Sequence, residues 1–162
     1  MSNFVWGEAP DMPEIVTAHS PSPMDMQHGG NHYKTMRIQP FEMSLANDYD
    51  GAIHSILKYV HRHADKGGAE DLDKAAHIAL IRATQIDKHG VRVIARSAIP
   101  MDKYIEENGI PFLEGETLRA LHSWATRDPA LVAPNFHHVC AHLLVDAITE
   151  LKQERYGVSD NA

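Results

Sequence analysis

The pattern that most restricts this chain's fold begins at Asp50. Ile53, Ile56, Leu57, Val60 and Ala64 recur at i, i+3, i+4, i+7 and i+11, the spacing of one buried helix face. After Gly67-Gly68 a second apolar set follows: Leu72, Ala75, Ala76, Ala79, Leu80, Ala83 and Ile86. So many alanines predict close helix approach, and Glu70 and Asp71 fall in the first turn of the second helix, where the dipole favours acids. The glycine pair supplies a break between the two, and the whole reads as an αα-hairpin.

The rest of the chain is organised around that unit. Residues 1–30 carry Pro10, Pro13, Pro21 and Pro23 among Ser, Met and Asp, and bury too little apolar surface to offset their ordering entropy. They are expected to form an arm, disordered or laid across a neighbouring subunit. Pro40-Phe41 lead into a short helix around Glu42 to Asn47. Residues 31–162 are expected to form a single helical domain: a hairpin over 48–88, a connector over 89–101 and a second hairpin over 114–156. Val91 to Pro100 is basic and β-branched, and reads as a short strand or an extended linker. Helices are expected over Asp102–Asn108, Glu114–Arg127 and Asn135–Tyr156, punctuated by Gly109, Pro111, Pro129 and Pro134. A shift of 65 positions places Ile53 on Leu118, Ile56 on Leu121, Tyr59 on Trp124, Arg62 on Arg127, Ala76 on Ala141 and His77 on His142, a weak internal repeat. Two amphipathic hairpins sharing a packing period would give the same match. The fold class is all-α, a helical bundle of two hairpins with an N-terminal arm, and the exposed hairpin faces predict a homo-oligomer.

Composition limits the functions available. Fifteen Lys and Arg against 22 Asp and Glu give a formal charge of −7, so duplex nucleic acid is not expected as a partner. Cys140 is the only cysteine, which excludes an internal disulfide and a Cys-based zinc site. No stretch approaches a membrane span and no basic, apolar leader is present, so a soluble cytoplasmic protein is expected.

Against the acidic background, positive charge concentrates locally. Lys58, His61, Arg62 and Lys66 form a cationic strip, with Lys74 in reach from the next helix. Arg offers phosphate a bidentate fork and Lys a mobile point charge, whereas the bland alternative is a solvated face paired with Asp65, Asp71 and Asp73. His32 and Tyr33 lie where the arm meets the domain, a place suited to a lid; Tyr33 anchoring the arm in a groove is the alternative. Gly29-Gly30-x-x-x-Lys34-Thr35 lacks the glycine directly before Lys that a Walker motif needs, and is rejected. Twelve histidines include the i, i+4 pair His138/His142 and the pair His61/His63, but neither has a third ligand, so no metal site is assigned. Magnesium is compatible with phosphate chemistry, yet Glu70-x-x-Asp73 has no E-x-x-E partner to mark a site.

The order His32-Tyr33, Lys58-Tyr59-x-x-Arg62, then Lys66-Gly67-Gly68-Ala69-Glu70-Asp71-Leu72-x-Lys74-Ala75 resembles the SaV-like family of small tailed-phage proteins. The resemblance covers Asn31 to about Ile86. Where this chain has His63-Ala64, family members usually carry Ala-Gly or a close variant. The characterised branch of that family looks like a deoxynucleoside monophosphate kinase without a P-loop, which implies a nucleoside triphosphate as phosphate donor and the host cytoplasm as compartment. The resemblance implies Lys58, Arg62 and Asp71 as catalytic residues. It implies His32, Tyr33, Tyr59, His61, Lys66 and Lys74 as substrate-binding residues. Leu121–Ala125 together with Phe136–Leu144 also resembles, more briefly, the tail of phage dATP/dGTP diphosphohydrolase-like proteins. The runner-up readings are a MazG-like pyrophosphohydrolase and a non-enzymatic nucleotide-binding or sequestering protein.

Overall fold

A computed structural model describes residues 35–91 and 94–157. They form six α-helices and, among the described residues, no strand. These are α1 (Pro40–Ala46), α2 (Gly51–Arg62), α3 (Gly68–His89), α4 (Met101–Glu107), α5 (Phe112–Ala125) and α6 (Phe136–Tyr156).

Local chemistry sets the helix ends. Asp50 caps α2, its Oδ1 accepting from the Ala52 and Ile53 amides at 2.9 Å each, which satisfies two of the orphan donors of the first turn. Pro40 starts α1, where its missing N–H costs nothing. Gly90, at φ 73°, ends α3 in a conformation that other residues seldom adopt.

Between α2 and α3 the chain differs from expectation. Instead of a flexible glycine break, His63–Gly67 form a five-residue π-helical turn that carries one helix into the next. The wider turn inserts an extra residue and shifts the apolar register. His63, at 1% exposure, therefore takes the core position expected for Ala64, which is exposed. Gly68 then adopts φ 57° at the end of the turn, where α3 begins.

The α2 stripe is otherwise as the periodicity indicates: Ile53, Ile56, Leu57 and Val60 are buried. On α3, Leu72, Ala75, Ala79 and Ala83 are buried, whereas Leu80 is exposed and Arg82, two residues on, is buried. Alanines let α3 lie close to both α2 and α6, its main packing partners, and α5 packs on α6 and α2. Asp73 meets Lys152 and Asp87 meets His138, so α3 and α6 run antiparallel. Tyr104 and Ile105 of α4 and Leu118, Leu121 and Trp124 of α5 join the same core.

Residues 94–100, before α4, form neither helix nor strand. Their amides bond to other parts of the body: Ala95 to the Ala125 carbonyl at 3.2 Å and Arg96 to the Asn47 carbonyl at 2.8 Å. The buried Asn47 side chain completes the junction, donating to the Ile99 carbonyl at 2.9 Å and accepting from the Ile99 amide at 2.8 Å.

Candidate anion-binding site

The cationic residues of α2 and α3 come together where the π turn joins the helices. Arg62 donates through Nε to Asp71 Oδ2 at 2.8 Å and through Nη2 to Oδ1 at 3.4 Å. Lys74 Nζ lies 2.7 Å from Glu70 and 3.6 Å from Asp71 Oδ1. Tyr59 supplies the common platform: Lys58 Nζ, Arg62 Cζ and Lys74 Nζ lie 4.6, 4.8 and 5.9 Å from its ring centroid, within or near the range of cation–π attraction. Among the described residues, Lys58 and Lys66 pair with no carboxylate.

The electrostatic consequence falls on Lys58. Burial, then the charge of Arg62 and finally that of Lys66, hold its pKa below the ordinary lysine value, with Asp71 pulling the other way. Like charges held together in this way repel, and an anion bound among them relieves the repulsion.

Asp71 is seated rather than merely nearby. Its side chain is 2% exposed, and its Cγ occupies the space where a side chain at Gly67 would begin, 2.0 Å from the ideal Cβ position. Residue 67 must be glycine for the carboxylate to reach Arg62 from this position. Asp73, one of the acids that could have neutralised the strip, turns instead to Lys152 of α6, 2.6 Å away.

His61 requires a correction. Its Nδ1 is 2.5 Å from the Tyr104 hydroxyl, and burial lowers its pKa to about 4. It is neutral at pH 7 and adds no charge to the strip. His32 and Tyr33 lie outside the described residues.

Two polar groupings went unseen in the sequence. In the first, His63 Nδ1 is 2.7 Å from the Tyr156 hydroxyl, and its Nε2 lies 3.3 Å from Glu114 Oε1 without completing a hydrogen bond. Arg155 holds Glu114 by a fork of 2.8 and 2.9 Å. Burial pushes the Glu114 carboxyl up, but the Arg155 hydrogen bonds, a backbone hydrogen bond and the charges of Arg155 and His63 together hold its pKa below the usual carboxylate value. Burial also keeps His63 below the ordinary imidazole value. In the second, Arg82 donates to Asp50 at 2.9 Å and stacks 4.4 Å from the Trp124 ring, while Trp124 donates to His137 at 3.0 Å. A charged residue inside the α3 alanine stripe was the available signal for Arg82. Glu114 and Tyr156 carried no signal beyond their places near helix ends.

Among the described residues no three His, Cys, Asp or Glu side chains converge as a metal site. Cys140 is a free thiol, His138 bonds Asp87, and no described helix is long and apolar enough to cross a membrane. No protein-family model, curated protein or solved structure matches the chain.

Proposed function

We propose that this protein binds nucleotide phosphates on the Lys58–Lys74 face and transfers a phosphoryl group from a nucleoside triphosphate to a deoxynucleoside monophosphate. One observation carries the phosphate part: Lys58, Arg62 and Lys74 gather on the Tyr59 ring, the charge of Lys66 acts on Lys58, and among the described residues the buried acid Asp71 pairs with Arg62 and Lys74 alone. The kinase part rests on the motif resemblance from His32 to Ala75.

Phosphoryl transfer needs chiefly positioning and charge stabilisation, so Lys and Arg can supply much of what the protein must provide. In this reading an oxygen of the monophosphate attacks the γ-phosphorus and the β–γ bridging oxygen leaves with the diphosphate. Lys58 and Lys66 hold phosphoryl oxygens, and Asp71 fixes the Arg62 guanidinium in one orientation. Lys74 contributes charge from α3, Tyr59 orders the cations, and any magnesium arrives as part of the nucleotide substrate. The same reading makes the chain a homo-oligomer, for which exposed Val139 and Leu143, four residues apart on α6, offer an apolar strip; sedimentation velocity tests it.

The deciding experiment incubates the protein with each dNMP and each nucleoside triphosphate and resolves the products by chromatography. A dNDP formed only when both are present is the expected result. Monophosphate and pyrophosphate from a triphosphate alone would establish a pyrophosphohydrolase instead. Binding with no product would establish a sequestering protein.

A further inference from the structure

Arg62 and His63 are neighbours that serve different networks. Arg62 bonds the acid of the anion site. His63 enters the core and meets the last residue of α6 and the first turn of α5. The π turn that begins at His63 is the chain connection between α2 and α3, and His63 is its one buried residue. A π turn is an uncommon, locally costly geometry that persists where surrounding contacts demand it. The tie between this turn and the core therefore runs through the His63 ring.

The other end of the turn is fixed by the site itself. Gly67 lies under the Asp71 carboxylate, so closely that a Cβ there would sit 2.0 Å from Asp71 Cγ. Lys66 precedes it and Arg62 precedes His63. Five residues span the two fixed ends, so slack at His63 has to appear as displacement of Arg62, Lys66 or Asp71.

We propose that Tyr156, Glu114 and Arg155 act through His63 as the positioning anchor of the anion site, holding the π turn so that Arg62 and Asp71 keep one geometry for phosphate. None of the four touches the ligand in this arrangement. The anchor ties the C-terminal end of α6 to the affinity of a site on α2 and α3. The proposal rests on the phosphate reading only for its ligand; the geometric coupling stands apart from it.

Tyr156→Phe removes one hydroxyl, and two measurements follow its effect on the full chain. The first is ATP affinity by calorimetry at a temperature where circular dichroism shows each variant folded. The second is solvent exchange of the Arg62 Nε–H, followed by nitrogen-15 NMR without ligand. Leu151→Ala, a fully buried α6 position outside the network, controls for general loss of stability. Tyr156→Phe is expected to weaken ATP binding roughly three- to thirtyfold and to speed Arg62 exchange, while Leu151→Ala changes neither. His63→Asn, which keeps a polar group toward the Tyr156 hydroxyl, should bind better than His63→Ala. The proposal is overturned if Tyr156→Phe leaves Arg62 exchange as in the wild type, or if Leu151→Ala changes it equally. Absence of ATP binding by the wild type would defeat the phosphate reading, and the exchange measurement would still decide the coupling.

Discussion

Two Arg–Asp pairs join α2 to α3, one at each end, and they are built in opposite senses. Beside the π turn, the acid is buried and the cation reaches outward: the side chains of Asp71 and Arg62 are 2% and 17% exposed. At the open end the cation is buried and the acid faces solvent, with Arg82 at 5% and Asp50 at 39%. Each guanidinium lies over an aromatic ring, Tyr59 for Arg62 and Trp124 for Arg82. Further cations surround the first pair, whereas the second is packed between α5 and the α2 N-terminus. A buried acid under exposed cations offers positive charge to a ligand; a buried cation under an indole is a clamp. The same two residue types thus divide into site and scaffold according to which partner is covered.

The comparison predicts its largest effect at Asp50. Asp50→Ala removes the α2 cap and leaves the Arg82 cation buried without its acid, so stability should fall by about 3–5 kcal/mol, as for other broken buried pairs. Denaturant unfolding measures it, and a loss below about 1 kcal/mol would mean that Trp124 alone sustains Arg82. Gly67→Ala comes next. The new methyl displaces the Asp71 carboxylate, costing about 1–3 kcal/mol of overpacking and loosening nucleotide binding in the same variant. Unchanged affinity there would detach Asp71 from the site.

Acid should act on the helix that joins the two pairs. His61 has a folded-state pKa of about 4 against 6.5 for the free side chain. Below pH 6.5 the unfolded chain takes up a proton that the folded chain refuses until about pH 4. The stability contributed by neutral His61 is thus complete above pH 6.5 and declines as pH falls toward 4. Burial shifts His54, His63, His122 and His137 the same way. Thermal unfolding at pH 7.5 and 5 should show the loss, and His61→Gln should reduce it. The smallest stability effect is expected at Lys58, whose replacement by Ala should alter folding by at most about 0.5 kcal/mol while abolishing most nucleotide binding. Arg62→Ala is a poorer probe than its surface location in the sequence indicated. Because Asp71 is buried, removing Arg62 strips a covered carboxylate of its closest partner, and fold and site would fail together.

Helical content and most core positions were legible because period and capping are local properties: Asp50 before α2, Gly90 after α3 and the Ile53–Val60 stripe all declare themselves within a few residues. The gathering of Lys58, Arg62, Asp71 and Lys74 could be anticipated, since the residues flank one turn. The path of that turn could not. Two adjacent glycines signal freedom, and only a carboxylate nine residues from Arg62 and a histidine reaching α6 convert that freedom into a π turn. The same long-range packing moved Arg82 into the core and turned His61 toward Tyr104, contacts spanning elements whose proximity no local pattern encodes.

The Asn47 junction has a consequence for the order of folding. Its two bonds to Ile99 close a loop of 52 residues that contains α2, the π turn and α3. For a flexible chain of that length, the length-dependent part of loop closure costs about 3.5 kcal/mol, more than two neutral hydrogen bonds ordinarily return. Once α2 and α3 have paired, the ends are already near one another and most of that entropy has been lost. Asn47 should therefore engage after the folding barrier. Asn47→Ala would speed unfolding and leave the refolding rate nearly unchanged in stopped-flow measurements, making one amide side chain a governor of how long the folded molecule lasts rather than how fast it forms.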